Sequence, residues 1–254
     1  MSVSIKSTRE IELMREAGRL LEITHNEMEK ALKPGMSTMD INRIGEEVIR
    51  SFGCIPSFLN YNGYPASICV SVNQEVVHGI PDKHRIIQEG DIVSLDAGVI
   101  YKGYHSDAAR THAVGKVSEE AKKLIQVTKE SFFEGIKFAK AGNHLFDISG
   151  AIGRYAEERG YGVVRDLCGH GIGTALHEAP EIPNYEVGRK GVRLRPGMTL
   201  AIEPMINIGT HEVDWLDDDW TVVTRDGSLS AHYENTILIT EGEPRILSLT
   251  CENE

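Results

Sequence analysis

Apolar residues recur every three to four positions over four stretches of this chain, and alternate with polar ones over several shorter runs. In 8–31, Ile11, Met14, Ala17 and Leu21 fall on one face of a helical period. The same kind of spacing predicts helices over 38–52, 118–140 and 145–159. Strand-like runs occupy 67–78, 91–100 and 105–114, and then 163–170, 198–207, 220–224 and 231–240. The order is two helices followed by strands, and then the same again.

The chain also matches itself. Shifted by 107 positions (140 − 33), Lys33, Gly35, Asp40 and Ile41 fall on Lys140, Gly142, Asp147 and Ile148. At the same shift Gly53 meets Gly160, Gly90 meets Gly197, and Asp96 meets Glu203. A KPG or KAG turn separates the two helices of each half, and Gly53 and Gly160 stand where a left-handed residue ends the second helix. This duplication predicts an α+β fold of two halves, about 8–114 and 118–240, related by a pseudo-two-fold axis, with joined antiparallel sheets and a cleft between them. No low-complexity linker divides the halves, so 1–254 reads as a single domain.

Composition removes several function classes. With 254 residues, 41% of them hydrophobic, the chain can bury a substantial core and needs no disulfide staples. Cys54, Cys69, Cys168 and Cys251 are scattered, without a CxxC pair, and read as reduced thiols. The N-terminus carries Lys6, Arg9, Glu10 and Glu12 and no apolar run suited to a signal peptide or membrane span, so a soluble cytoplasmic protein is expected. A net charge of −11 argues against broad nucleic-acid binding, because an acidic surface repels phosphate.

The chemistry begins in DIVSLDAGVIYKGYHSDAARTHAVG, which reads as a hairpin around Tyr101, Lys102, Gly103 and Tyr104. A turn centred on Tyr101 and Lys102 sets Asp96 directly opposite Asp107, and one centred on Lys102 and Gly103 makes them diagonal neighbours. Either register puts both on one face. Two carboxylates about 4 Å apart repel by roughly 4 kcal/mol at an effective dielectric near 20, unless a proton or a cation intervenes. Glu203 holds the place of Asp96 in the second half, and Glu234, in SLSAHYENTILIT, sits on the strand expected to follow it. Each acid alone reads as a solvated strand charge; four converging on one cleft need cations. Two dications balance four negative charges, whereas one leaves −2. His170 supplies nitrogen, and a mixed carboxylate and imidazole set suits Mn, Fe, Co or Zn better than Ca or Mg. His170 and His177 lie in the glycine-rich DLCGHGIGTALHEAP, where Gly169, Gly171 and Gly173 are expected to let the backbone approach a ligand, and His78 lies in NQEVVHGIPD.

The set HGIP with His78, DAG with Asp96, then Asp107, GHGIGTALHE with His170 and His177, EP with Glu203, and the late Glu234 resembles the methionine aminopeptidases over about 5–250. The resemblance implies the pita-bread fold in a single catalytic domain. It also implies a dinuclear centre in which Asp96 chelates one metal, His170 and Glu203 bind the other, and Asp107 and Glu234 bridge. The activity implied is hydrolytic removal of N-terminal methionine from nascent polypeptides when the second residue is small and uncharged, through a metal-activated water. Glu203 would shuttle the proton, His177 would face the scissile carbonyl oxygen, and His78 would lie toward the leaving group. The family's methionine-pocket positions fall on Phe58, Tyr61, Tyr64, Cys69, Leu176 and Trp220; Phe58, Leu176 and the nearby Asn62 depart from its common bacterial pattern. The chain is similar to the type I, bacterial-type class, lacking both the helical insertion of type II and an N-terminal zinc-finger extension. A monomer is expected, working near the ribosome exit region, away from membranes. Prolidase-like enzymes share the five ligands but carry an N-terminal domain of about 100 residues or more, for which this chain leaves no room. A binding pseudoenzyme would have lost ligands, and here all five positions are filled.

Overall fold

The computed structural model describes residues 3–249. Four helices appear where the apolar period predicts them: α1, Thr8–Ala31; α2, Thr38–Ser51; α3, Glu119–Ile136; and α4, Leu145–Glu157. Helix α1 starts on a capping box, with the Glu10 carboxylate accepting from the Ser7 N–H at 2.7 Å. In α3 the last turn stops four residues short of 140, because Phe138 and Ala139 donate to Gly135 and Ile136 in tighter turns.

Equivalent positions of the two halves make equivalent bonds. The carboxylates of Asp40 and Asp147 accept from the N–H of Ser37 and His144, at 2.9 and 2.8 Å. Ser37 bridges to Ile86 and His144 to Arg193, each pair displaced by the same 107 positions. Gly35 and Gly142 donate to the carbonyls of Ile87 and Leu194. Gly53 and Gly160 have φ of 70° and 84°, the left-handed conformation expected after a helix.

One nine-stranded sheet crosses both halves. Its main path runs Ile55–Pro56, Ile92–Tyr101, Tyr104–Ala113, Glu234–Leu238, Thr199–Ile202, Gly169–Gly171 and Glu178–Ile182; Ile68–Val72 and Arg245–Ile246 add to its sides. At the centre, Tyr104–Ala113 of the first half pairs with Glu234–Leu238 of the second, through Glu234 opposite Ala109. Helices cover one face through two matching cores. Leu21, Met28, Ile41 and Ile49 pack on Val93 and Leu95 in the first half. In the second, Phe132, Ile148 and Ile152 pack on Leu200 and Ile202. The odd residues of Ile92–Tyr101 are spent on that core, so Asp96 faces the other way.

Several expected strands are broken. The run 67–78 is Ile68–Val72 and Glu75–Val77, with Asn73 at φ 59° between them. The run 163–170 is reduced to Gly162–Val163 and Gly169–Gly171, 198–207 breaks at Glu203 and Pro204, and 231–240 breaks at Tyr233. The fragments build two three-stranded sheets, Ser230–His232 with Met205–Asn207 and Gly162–Val163, and Val213–Trp215 with Val222–Thr224 and Glu75–Val77. Each break lets one run serve both the main sheet and a small one. No described helix is long and apolar enough to cross a membrane. Cys54, Cys69 and Cys168 are free thiols, while Cys251 lies outside the described residues.

Candidate metal centre

The hairpin takes the second of its two possible registers. Tyr101 pairs with Tyr104, leaving Lys102 and Gly103 as a two-residue loop with φ of 49° and 85°, the primed turn that matches strand twist. Asp96 is therefore opposite Ala109, and Asp107 opposite Gly98. On its other side Ala109 faces Glu234, so an alanine with almost no side chain is flanked by two acids, with Asp107 two residues along the same face. Glu203 follows Thr199–Ile202, which pairs with Glu234–Leu238, and His170 stands opposite Ala201. Asp107, His170 and Glu234 each offer a ligand atom within 4.8 Å of the others. His170 Nε2 also lies 3.6 Å from Glu203 Oε1.

Burial shapes the electrostatics. It pushes Asp96 up to about 8. Asp107 is held well above the usual carboxylate range by burial first, then by the charges of Asp96 and Glu203. Glu203 is raised by burial and by Asp96, and Glu234 by burial, Asp107, Glu203 and Asp96. The imidazoles move the opposite way: burial, reinforced by His177, lowers His170 to about 3 and His78 to about 4. Among the described residues Asp96 Oδ1, Asp107 Oδ1 and Glu234 Oε1 are buried acceptors with no hydrogen-bond donor. Orphaned acceptors that repel each other are what dications would satisfy, so the donor set fits a divalent metal. The His170 ring is already oriented for coordination, because its Nδ1–H donates to the Gly171 carbonyl at 2.9 Å and leaves the Nε2 lone pair toward the carboxylates.

Every other expected site residue lines the same cavity of about 140 Å³. Cys69 pairs directly with Asp96, and burial keeps its thiol protonated, so it presents a neutral wall. Phe58, Tyr64 and Leu176 complete the apolar side with Cys69. Pairing of Val77 with Val222 brings His78 next to Trp220, ring centroids 6.2 Å apart, and Tyr64 packs edge-on against the same indole at 5.1 Å. His78 has φ of 59°, a strained conformation for a non-glycine residue. Asn62 has φ of 49° in the short turn Tyr61–Gly63, a conformation asparagine tolerates. His177 packs edge-on on His170 at 4.2 Å, and its Nδ1 is 2.8 Å from the Tyr61 hydroxyl. A second cavity, of about 330 Å³, opens on the helix side of the sheet between α1 and α3 and contains none of the five expected ligands.

Two further features bear on the site. Gly169 and Gly171 have a strand-packing reason to lack a side chain: a Cβ on Gly169 would lie 2.4 Å from the Ala201 carbonyl oxygen, and one on Gly171 2.2 Å from that of Ala179. His232, two residues before Glu234 and on the same side, is buried beside Glu203 and Glu234. Only the period-two pattern of SAHYENT hints at it.

The model of metallopeptidase family M24 matches residues 12–241. A methionine aminopeptidase of Clostridium acetobutylicum is 56% identical over 250 residues, 98% of this chain and 100% of that protein. Methionine aminopeptidase 1 of Bacillus subtilis is 52% identical over 93% of this chain and 95% of its own length. The crystal structure of the methionine aminopeptidase from Thermotoga maritima superposes with a TM-score of 0.96 at 45% identity, covering 98% of this chain and 100% of that one. The architecture of two helix-backed halves around a shared sheet is thus the pita-bread fold.

Proposed function

The chain belongs to metallopeptidase family M24, and on that premise we propose that its five clustered side chains hold two divalent cations for removing N-terminal methionine. It is a metallo-aminopeptidase, a hydrolase. The observation that carries the proposal is the convergence of four carboxylates, those of Asp96, Asp107 and Glu234 buried and that of Glu203 largely so, and the Nε2 of His170 on one small cavity. In the assignment proposed, Asp96, Asp107, His170, Glu203 and Glu234 would together hold the cations. Charge balance supports two cations, and the nitrogen ligand favours Mn, Fe, Co or Zn. Such a pair supplies Lewis acidity and a water of lowered pKa.

The remaining steps fall to the chain. Glu203, at the break between two strands and on the cavity wall, is placed to carry a proton from water to the leaving amine. His177 is oriented through Nδ1 by Tyr61; if the hydroxyl donates there, the ring keeps its proton on Nε2 for the scissile carbonyl oxygen. His78, neutral and held beside Trp220, lies toward the leaving group. Phe58, Tyr61, Tyr64, Cys69, Leu176 and Trp220 bound an apolar space suited to a thioether side chain. We assign the activity to one catalytic unit spanning 1–254, acting in the cytoplasm as a monomer on nascent N-termini near the ribosome exit, with a small second residue preferred.

The test is turnover of Met-Ala-Ser against X-Pro dipeptides by the metal-loaded protein. Preference for Met-Ala-Ser is expected, and preference for X-Pro would overturn the assignment in favour of a prolidase-like activity.

A further inference from the structure

His232 is a buried side chain beside the cluster that the five ligands leave unexplained. It is 2% exposed, and neither ring nitrogen has a hydrogen-bond partner among the described residues. Its Nε2 lies 3.9 Å from Glu203 Oε2 and 4.0 Å from Glu234 Oε2. The ring stands behind the carboxylates rather than in the lining of the cavity. Its backbone is clamped: the His232 N–H donates to Thr111 Oγ1 at 2.8 Å, the Thr111 hydroxyl donates back to the His232 carbonyl at 2.9 Å, and Ser94 Oγ lies 2.8 Å from the same hydroxyl oxygen. The imidazole is therefore delivered to one place, between two acids from different strands.

Comparison with His170 decides what it does there. His170 has a carbonyl acceptor for its Nδ1–H, which frees Nε2 to act as a ligand. His232 has no acceptor at Nδ1, and the acceptors it does face are the Oε2 atoms of Glu203 and Glu234, next to Nε2. The proton of a neutral ring is thus drawn to Nε2. We propose that His232 is a positioning residue that donates its Nε2–H to the outer oxygens of Glu203 and Glu234, so that their other oxygens turn toward the cations. This rests on the reading of Glu203 and Glu234 as ligands. A small rotation of either carboxylate closes the remaining gap of about 1 Å to hydrogen-bond length. Both acids then lose one rotational choice before a cation arrives, which raises affinity without adding a ligand.

Manganese titrated calorimetrically into metal-free protein tests this, using wild type, His232→Leu, His232→Gln and, as a ligand control, Asp107→Asn. His232→Leu keeps the bulk without the donor and should weaken binding roughly 10- to 100-fold while two equivalents still bind at saturation. His232→Gln, which restores an Nε2–H, should stay within about threefold of wild type. Wild-type affinity in His232→Leu, loss of one equivalent in it, or failure of the Gln variant to restore binding would each overturn the proposal; the second would make the ring a ligand. Full manganese binding by Asp107→Asn would instead overturn the ligand reading itself. Independently of any variant, nitrogen-15 histidine spectra of the zinc-loaded wild type should show His232 as the Nε2–H tautomer. A lone pair on Nε2 refutes the role.

Discussion

Stripping the cations with a chelator should leave a protein whose folding free energy falls between about pH 6.5 and 8. In the metal-free folded chain, burial keeps Asp96 protonated up to about 8 and raises Asp107, Glu203 and Glu234 in the same direction. Unfolded, these acids ionise near pH 4. Above that pH the folded state holds more protons than the unfolded one, so rising pH favours unfolding by about 1.4 kcal/mol per unit for each proton held. Desolvated histidines oppose this at lower pH. His78 and His105 sit at about 4 and His170 and His232 at about 3 when folded, with His25 and His177 also lowered, whereas the unfolded chain protonates all six below about 6.5. Their depressed values add stability as pH rises, and that gain fades above about 6.5, where about 0.4 kcal/mol per histidine is still to come. From there to about 8 the four carboxylates together outweigh this remainder, Asp96 alone removing about 2 kcal/mol. Urea unfolding at several pH values, in chelator and in manganese, measures the slope. Bound cations ionise the folded carboxylates and should abolish it. Asp96→Asn should make the metal-free slope shallower by up to about 1.4 kcal/mol per unit. A flat or rising metal-free stability across this window, or a slope indifferent to Asp96→Asn, refutes the reasoning.

Replacing His177 by alanine should lower kcat by roughly 10²- to 10³-fold with metal content intact, whereas Glu203→Ala should lower metal content too; elemental analysis beside kinetics separates them, and equal metal loss would make His177 a ligand. Gly171→Ala forces a Cβ to 2.2 Å from the Ala179 carbonyl oxygen and should cost about 1–3 kcal/mol in denaturant unfolding. Lys6→Met should cost up to about 3–5 kcal/mol and raise KM, because the Lys6 ammonium, 2.6 Å from Glu178 and nearly buried, neutralises the carboxylate whose other oxygen accepts the Thr174 N–H and so pins the loop carrying Leu176 and His177.

Much of this molecule is legible in its sequence because it is written twice. The match of Asp40 to Asp147 marks the same helix start in both halves, and Asp96 with Glu203 marks the same edge of the same cleft. Helix periodicity finds α1 and α2 almost to the residue, since caps and left-handed glycines bound them. The strands are less legible. Apolar alternation continues through Glu203 and Pro204 and through Tyr233, although the backbone there leaves one sheet for another, a tertiary event with no local signature. The hairpin register depends on whether Lys102 adopts a positive φ, which a lysine does not advertise. His232 is hidden for a related reason: a lone histidine in an alternating run looks like any half-buried strand residue, and its meaning appears only when the strand carrying Glu234 is laid beside the break that carries Glu203. The packing role of Gly169 and Gly171 is equally hidden, because close approach of backbone to a ligand and close approach of strand to strand leave the same residue in the sequence.

The central claim is that Asp96, Asp107, His170, Glu203 and Glu234 form one two-cation centre that cleaves N-terminal methionine. Titration of manganese, iron, cobalt or zinc into the metal-free protein, with bound metal and turnover of Met-Ala-Ser followed together, tests it most directly. The expected result is no turnover without metal, activity restored by at least one of the four, and binding that saturates at two equivalents in wild type and falls below two in Asp107→Asn. Turnover that persists in chelator, or binding that saturates at two equivalents in Asp107→Asn, would contradict it.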